Sequence, residues 1–246
     1  MIWFTMVDWA DQITNESLLR LIATNFPIYW ASLNVGTVQR TKAKRSYRTP
    51  IEHLTDQCEW LKAEWYGGTV SGLDPEKQWN SYLSVNFREG RELTICLSSA
   101  DSSMENLLQF IVDASKLGNL GYGYGDDWDA PGLTYYIAGI TYGLPCGEEE
   151  KRKADRLSRW FRERLPMPGN PPRKRYLEGM YRGVYQINVL NRSHVVESSQ
   201  EGSQPRGLDH IVGRLLPCDN DTFIWSVPTF ELAEVECDLG NKELLI

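Results

Sequence analysis

Asp126, Asp127 and Asp129 surround Trp128 in Leu120–Gly132 (LGYGYGDDWDAPG), the most unusual stretch of the chain. Neighbouring carboxylates suit general acid–base chemistry when their surroundings set their protonation apart. A calcium loop would need alternating acidic positions, a central glycine and a late glutamate, and that spacing is missing. A glycine-rich anion cradle also fits poorly, because three carboxylates would repel a phosphate. The alternation of Tyr122 and Tyr124 with glycine predicts a flexible surface loop instead. Such a loop would offer Tyr122, Tyr124, Asp126, Asp127, Trp128 and Asp129 to a protein partner.

Other reactive side chains are scattered. His53, His194 and His210 have no Cys or His at ligand spacing, so no metal site is expected. His194 is the best general-base candidate, although a packed histidine at a strand end explains it as well. The cysteines Cys58, Cys96, Cys146, Cys218 and Cys237 are odd in number and far apart, with no CxxC pair. They read as free thiols in a reducing compartment. Lys42, Lys44, Arg45 and Arg48 read as a solvated basic turn. GxSxG, HExxH, the phosphate-binding GxxxxGK loop and the dinucleotide glycine fingerprint are all missing. The residues therefore predict no catalytic group and no cofactor. The competing reading is a small enzyme whose site lies between Asp126, Asp127, Asp129 and His194, and a third is a plain scaffold domain.

The elements that must position these residues can be read from periodicity. Asn15 with Leu18, Leu19, Leu21 and Ile22 predicts a capped helix ending near Pro27, and Ile28–Val35 a strand. Pro50–Trp65 has helical apolar spacing. Trp79–Phe87 and Glu92–Leu97 predict a hairpin around Gly90. Asp101–Ser103 should cap a helix running to Leu117. Leu133–Tyr142 reads as a strand and Glu148–Leu165 as a helix. Pro166–Pro172 (PMPGNPP) is a connector and a subdomain boundary within one domain spanning 1–246. Tyr181–Val189 reads as a central strand, with Ser193 capping a short helix after it. Glu197–Gly207 reads as a mobile loop, and Leu208–Leu216 as a short apolar element around Ile211 and Val212. Asp219-Asn220-Asp221 should turn into the strand Thr222–Val227. Thr229 should cap a terminal helix with Phe230, Ala233 and Cys237 on one face and Glu231, Glu234 and Asp238 on another. The order predicts an α+β fold, a mainly antiparallel sheet with helices packed on one face.

Charge narrows the class of partner. The net charge is −7, which argues against general nucleic-acid affinity. From Glu197 onward ten acidic residues face only Arg206, Arg214 and Lys242, so this segment carries the whole net charge. Nine Trp and twelve Tyr supply aromatic core anchors or partner contacts. The N-terminus meets Asp8 and Asp11 too soon for a signal peptide, and no apolar run approaches a membrane span. A cytoplasmic, soluble protein is expected.

The run GVYQINVLNRSHV (Gly183–Val195), GRL (Gly213–Leu215), FIWSV (Phe223–Val227) and the final ELLI together resemble bacterial polymorphic-toxin immunity proteins, the nearest being immunity protein fifty-two. GITYGLP (Gly139–Pro145) is a fainter echo. The resemblance spans the last seventy or so residues, about 176 onward. The polar Glu197–Gly207 segment departs from the pattern, and the N-terminal half shows no match. The resemblance implies an α+β protein that neutralises a cognate toxin, often a nuclease, without chemistry of its own. A basic toxin would gain steered association with an acidic partner. Contact residues are then expected in the Tyr122–Asp129 stretch or on the terminal helix through Glu231 and Glu234.

Overall fold

A computed structural model of the protein describes residues 2–26, 35–40, 46–48, 60–67, 81–86, 91–97, 103–127, 160, 172–198, 202–208 and 212–246. Its centre is a strand at the very start of the chain, β1 (Ile2–Val7), buried along its full length. Ile2, Phe4 and Met6 enter one core while Trp3 and Val7 enter another, so β1 has no solvent face and no polar alternation. Its one polar side chain is satisfied: Trp3 Nε1 donates to Thr5 Oγ1 at 3.0 Å, and Thr5 and Thr94 share a hydroxyl contact at 3.2 Å.

Antiparallel partners flank β1 on both sides, β6 (Glu92–Leu97) and β7 (Tyr122–Asp127). Beyond β6 come β5 (Ser81–Asn86), β4 (Trp60–Gly67), β2 (Val35–Arg40) and β3 (Ser46–Arg48). Beyond β7 come β8 (Ile187–Asn191), β12 (Thr222–Ser226) and β11 (Arg214–Pro217). These ten strands form one antiparallel sheet, which takes strands from both sides of the proline-rich connector. A separate hairpin joins β9 (Val195–Ser198) to β10 (Gly202–Pro205).

Two helices cover one face. In α1 (Asn15–Asn25) the Thr14 side chain, one residue before the expected start, accepts the Ser17 N–H, and Leu18, Leu19 and Ile22 are buried. In α2 (Met104–Ser115) Ser103 and Asn106 form a reciprocal capping box. Phe110 of α2 meets Phe26 at 5.5 Å and Phe4 edge-on at 6.4 Å, tying both helices to β1. The opposite face is covered by irregular segments and by α3 (Leu232–Asn241), which buries Val235 and Leu239. The α+β architecture and the antiparallel sheet match expectation, and the terminal helix adds cover to the second face.

Several local expectations are corrected. Tyr122–Asp127 is a strand, not a flexible loop. It needs glycine for contact: a Cβ on Gly125 would lie 2.6 Å from the Trp3 carbonyl oxygen, and Gly121, at φ +68°, would meet the Val7 and Asp8 carbonyls at 2.5 Å. Trp60–Trp65 belongs to β4, not to a helix, because pairing to β2 and β5 favours the alternation of Leu61, Ala63 and Trp65 with Lys62 and Glu64. The polar Glu197–Gly207 segment contributes to the β9–β10 hairpin. The central strand is shorter and later than expected, and its following turn is capped by Asn191, whose Oδ1 accepts the Ser193 N–H at 2.9 Å. The Asn220-Asp221 turn stands as expected, both residues at φ 53° in the β11–β12 hairpin. Ile28–Asn34, most of Pro50–Trp60, Leu133–Tyr142, nearly all of Glu148–Leu165, and Lys42, Lys44, Arg45, His53 and His210 lie outside the described residues.

Candidate functional site at the C-terminal corner of the sheet

The expected contact residues separate into an interior group and a surface group. Tyr122 and Tyr124 point from β7 into the second core and are fully buried. This corrects the expectation that they lie on an exposed loop. Tyr122 lies 5.6 Å from Trp160 and 5.8 Å from Tyr176, and stacks on His194 at 5.4 Å. Its Oη accepts the Arg182 N–H at 3.1 Å, and burial pushes its hydroxyl pKa well up. The Arg182 guanidinium, in a residue only 2% exposed, sits 3.9 Å from the Tyr124 ring and 5.4 Å from the Trp160 ring. Burial lowers its pKa, and the aromatic faces supply an attractive quadrupole field for its charge. This cluster is an internal cation box, missed because its members come from four separated stretches.

His194 belongs to the same interior. Its Nε2 lies 3.1 Å from the Met180 carbonyl and its Nδ1 3.2 Å from Asn191 Oδ1. Burial outweighs these hydrogen bonds and lowers its pKa to about 4. It stacks beside Tyr122, whereas Asp126 is four residues further along β7, on the order of 13 Å away. Asp126 and Asp127 thus lie at the far end of β7 from Tyr122, the residue on which His194 stacks. Among the described residues no three His, Cys, Asp or Glu side chains are grouped to hold a metal ion.

The surface group lies where β7 ends. Asp126 is buried, Asp127 is exposed, and Trp128 and Asp129 are outside the described residues. The Asp127 N–H donates to Gln186 Oε1 at 3.4 Å, and Gln186 Nε2 donates to Thr229 Oγ1 at 2.9 Å. One glutamine thus brings the end of β7 and the approach to the terminal helix to one corner. The two contact regions expected from sequence are neighbours here.

At that corner the chain leaves β12, passes Pro228 and makes a single tight turn, Thr229–Glu231, before α3. Thr229 does not cap the helix: its hydroxyl serves Gln186, and Glu231 stands at the N-cap without a side-chain cap bond. The later start rotates the apolar stripe onto Val235 and Leu239. Phe230, expected with Ala233 and Cys237 on one face, consequently projects into solvent, 84% exposed. Ala233, Glu234 and Cys237 of α3 are also exposed, and Glu231 is half-buried.

Next to Phe230 is a groove of about 680 Å³. Met104 and Leu108 of α2, Ile187 of β8, and Val227 and Pro228 form its apolar walls, while Glu231 and Arg214 supply its charges. Glu231 Oε2 is buried with no hydrogen-bond partner among the described residues. Among the described residues no helix is long and apolar enough to cross a membrane.

No protein-family model and no curated protein matches the chain. Among solved structures it is similar to Pseudomonas aeruginosa T6SS protein PA0821, with 10% identity and a TM-score of 0.51. The match covers 91% of this chain and 64% of that one, so the chain spans less than two thirds of that protein's length. At this identity the likeness concerns the fold alone.

Proposed function

We propose that the protein is a non-enzymatic binding protein that neutralises a toxic protein by occluding it from the C-terminal corner of the sheet. Phe230 carries this reading. A phenylalanine 84% exposed beside Glu231 and Glu234, on the segment that holds the chain's net negative charge, has the composition of a partner anchor. The acidic surroundings select a basic partner and steer its approach. The resemblance of Gly183–Val195 to toxin-immunity proteins supports the same reading, and so does a fold neighbour described as a T6SS protein. The contact surface comprises Asp127, Phe230, Glu231 and Glu234, with Trp128 and Asp129 following Asp127 in sequence.

The test is co-expression of the full chain with the product of its neighbouring gene in a sensitive host. Growth rescue that is lost in Phe230→Ala, with the variant still folded, supports the proposal. Rescue unaffected by substitutions at Phe230, Glu231 and Glu234 together would remove the proposed surface. Measurable turnover of a substrate by the purified chain would remove the class.

A further inference from the structure

We infer that the groove beside Phe230 receives an arginine or lysine side chain from a basic protein segment, with Glu231 as its counter-ion. This inference rests on the binding-protein reading and specifies the partner chemistry at that corner. Three features of the groove select a cationic side chain with an apolar stem. Its walls are apolar: Met104, Leu108, Ile187, Val227 and Pro228 are suited to methylene groups. It contains a carboxylate with Oε2 buried and lacking a hydrogen-bond donor among the described residues. Carboxylates accept several bonds, and the strongest donors for a partly desolvated one are guanidinium and ammonium groups.

The third feature is charge. The segment from Glu197 onward holds the chain's entire net charge of −7, so approaching cations are favoured over anions. Arg214 also lines the groove and is exposed. It favours a segment in which the entering cation lies next to a carboxylate or a backbone carbonyl. The volume, about 680 Å³, matches a few side chains, not a whole helix. Pro217 on the neighbouring edge strand removes one backbone donor and weighs against simple strand addition at β11.

The test uses the full chain and a synthetic probe, a capped pentapeptide of glycine, leucine, arginine, leucine and glycine. Amide shifts are followed by two-dimensional NMR, with a second pentapeptide carrying glutamate in place of arginine. The arginine peptide is expected to shift the Ile187, Val227 and Glu231 amides saturably. It should bind at least tenfold more tightly than the glutamate peptide, and Glu231→Gln, an isosteric change, should remove that preference. Equal binding of both peptides, an unchanged preference in Glu231→Gln, shifts confined elsewhere, or no shifts at millimolar peptide would each overturn the inference. Concentration-dependent shifts of the same amides without peptide would assign the groove to a second copy, and would also overturn it. Because the probe is independent of any toxin, failed growth rescue with intact arginine selectivity removes the toxin reading alone, whereas rescue without selectivity removes the groove inference alone.

Discussion

Tyr122–Asp127 and Val227–Asp238 look alike in composition, since both set large aromatic side chains beside carboxylates, yet one is the inside of the molecule and the other its outside. In β7 the residues between the aromatics are glycines. They let the strand press against β1 and β8 while Tyr122 and Tyr124 fill the second core. In the C-terminal stretch the residue before Phe230 is Thr229, whose hydroxyl is taken by Gln186, and the helix begins three residues later. What surrounds an aromatic residue therefore decides its role more than its proximity to acidic residues. The contrast is energetic, and it can be broken by substitution.

The largest effect is expected at the interior tyrosine. Tyr122→Ala removes a fully buried ring packed on Trp160, Tyr176 and His194, and leaves the Arg182 N–H without its acceptor. A loss of about 3–5 kcal/mol is expected, the range for large aromatic truncations in cores. Phe230→Ala, which removes an exposed ring, should change stability by less than about 0.5 kcal/mol. Urea unfolding of the two variants measures the difference directly. Equal losses would mean that Phe230 packs in solution and that the contrast fails.

The interior should also be pH-sensitive through His194. Its folded pKa, about 4, lies below the ordinary value of 6.5 because burial disfavours the imidazolium. The unfolded chain therefore binds more protons between those values, and stability falls as pH drops from about 6.5 toward 4, with no further loss from this group below. The full effect is about 3 kcal/mol. Denaturation at pH 7 and pH 4.5 should show this component in the native chain and its removal in His194→Gln. A His194 ring titrating near 6.5 by NMR would contradict the buried, neutral state.

How far the sequence reveals these regions follows from the same physics. Helices α1 and α2 were legible because short polar caps precede clear apolar stripes, and the β5–β6 pair and β12 because turn residues precede or separate their alternating runs, whereas β11 was read only as part of a short apolar element. β1 was not, since burial on both faces erases the polar alternation that marks a strand. β7 was misread because glycine marks loops and tight strand contact equally well. In β4 the Leu61–Trp65 spacing fits both periods, and only pairing with β2 and β5 decides between them. At the corner, Glu234 was legible as a surface acid, whereas the half-burial of Glu231 was not. The exposure of Phe230 was hidden, because a Thr229 cap would have turned it inward. The link through Gln186 was not legible, since residues 59 and 43 positions apart in the chain carry no local signal.

For binding, the comparison reverses: the residue that hardly affects stability should matter most. If Phe230 is the anchor, Phe230→Ala should weaken binding of the co-expressed partner by about 2 kcal/mol, measured by titration calorimetry on a folded variant. The effect should appear mainly in the dissociation rate, because an apolar anchor acts after encounter.

The smallest expected effect is electrostatic and tests the outer rim of the surface. Asp127 is exposed at the end of β7, and its backbone, not its carboxylate, holds the Gln186 bridge. Asp127→Lys leaves that backbone bond available and reverses one charge that an approaching basic partner meets. Exposed rim charges contribute little to the settled complex but act over roughly 8–10 Å during approach at ordinary ionic strength. The association rate should fall several-fold at low salt, with the dissociation rate nearly unchanged. Raising the salt should slow the native chain toward the variant, since screening removes the same attraction. Surface plasmon resonance across a salt series separates the two rates. An Asp127→Lys chain that associates as fast as the native one at low salt would exclude the end of β7 from the contact and confine the surface to Phe230, Glu231 and Glu234.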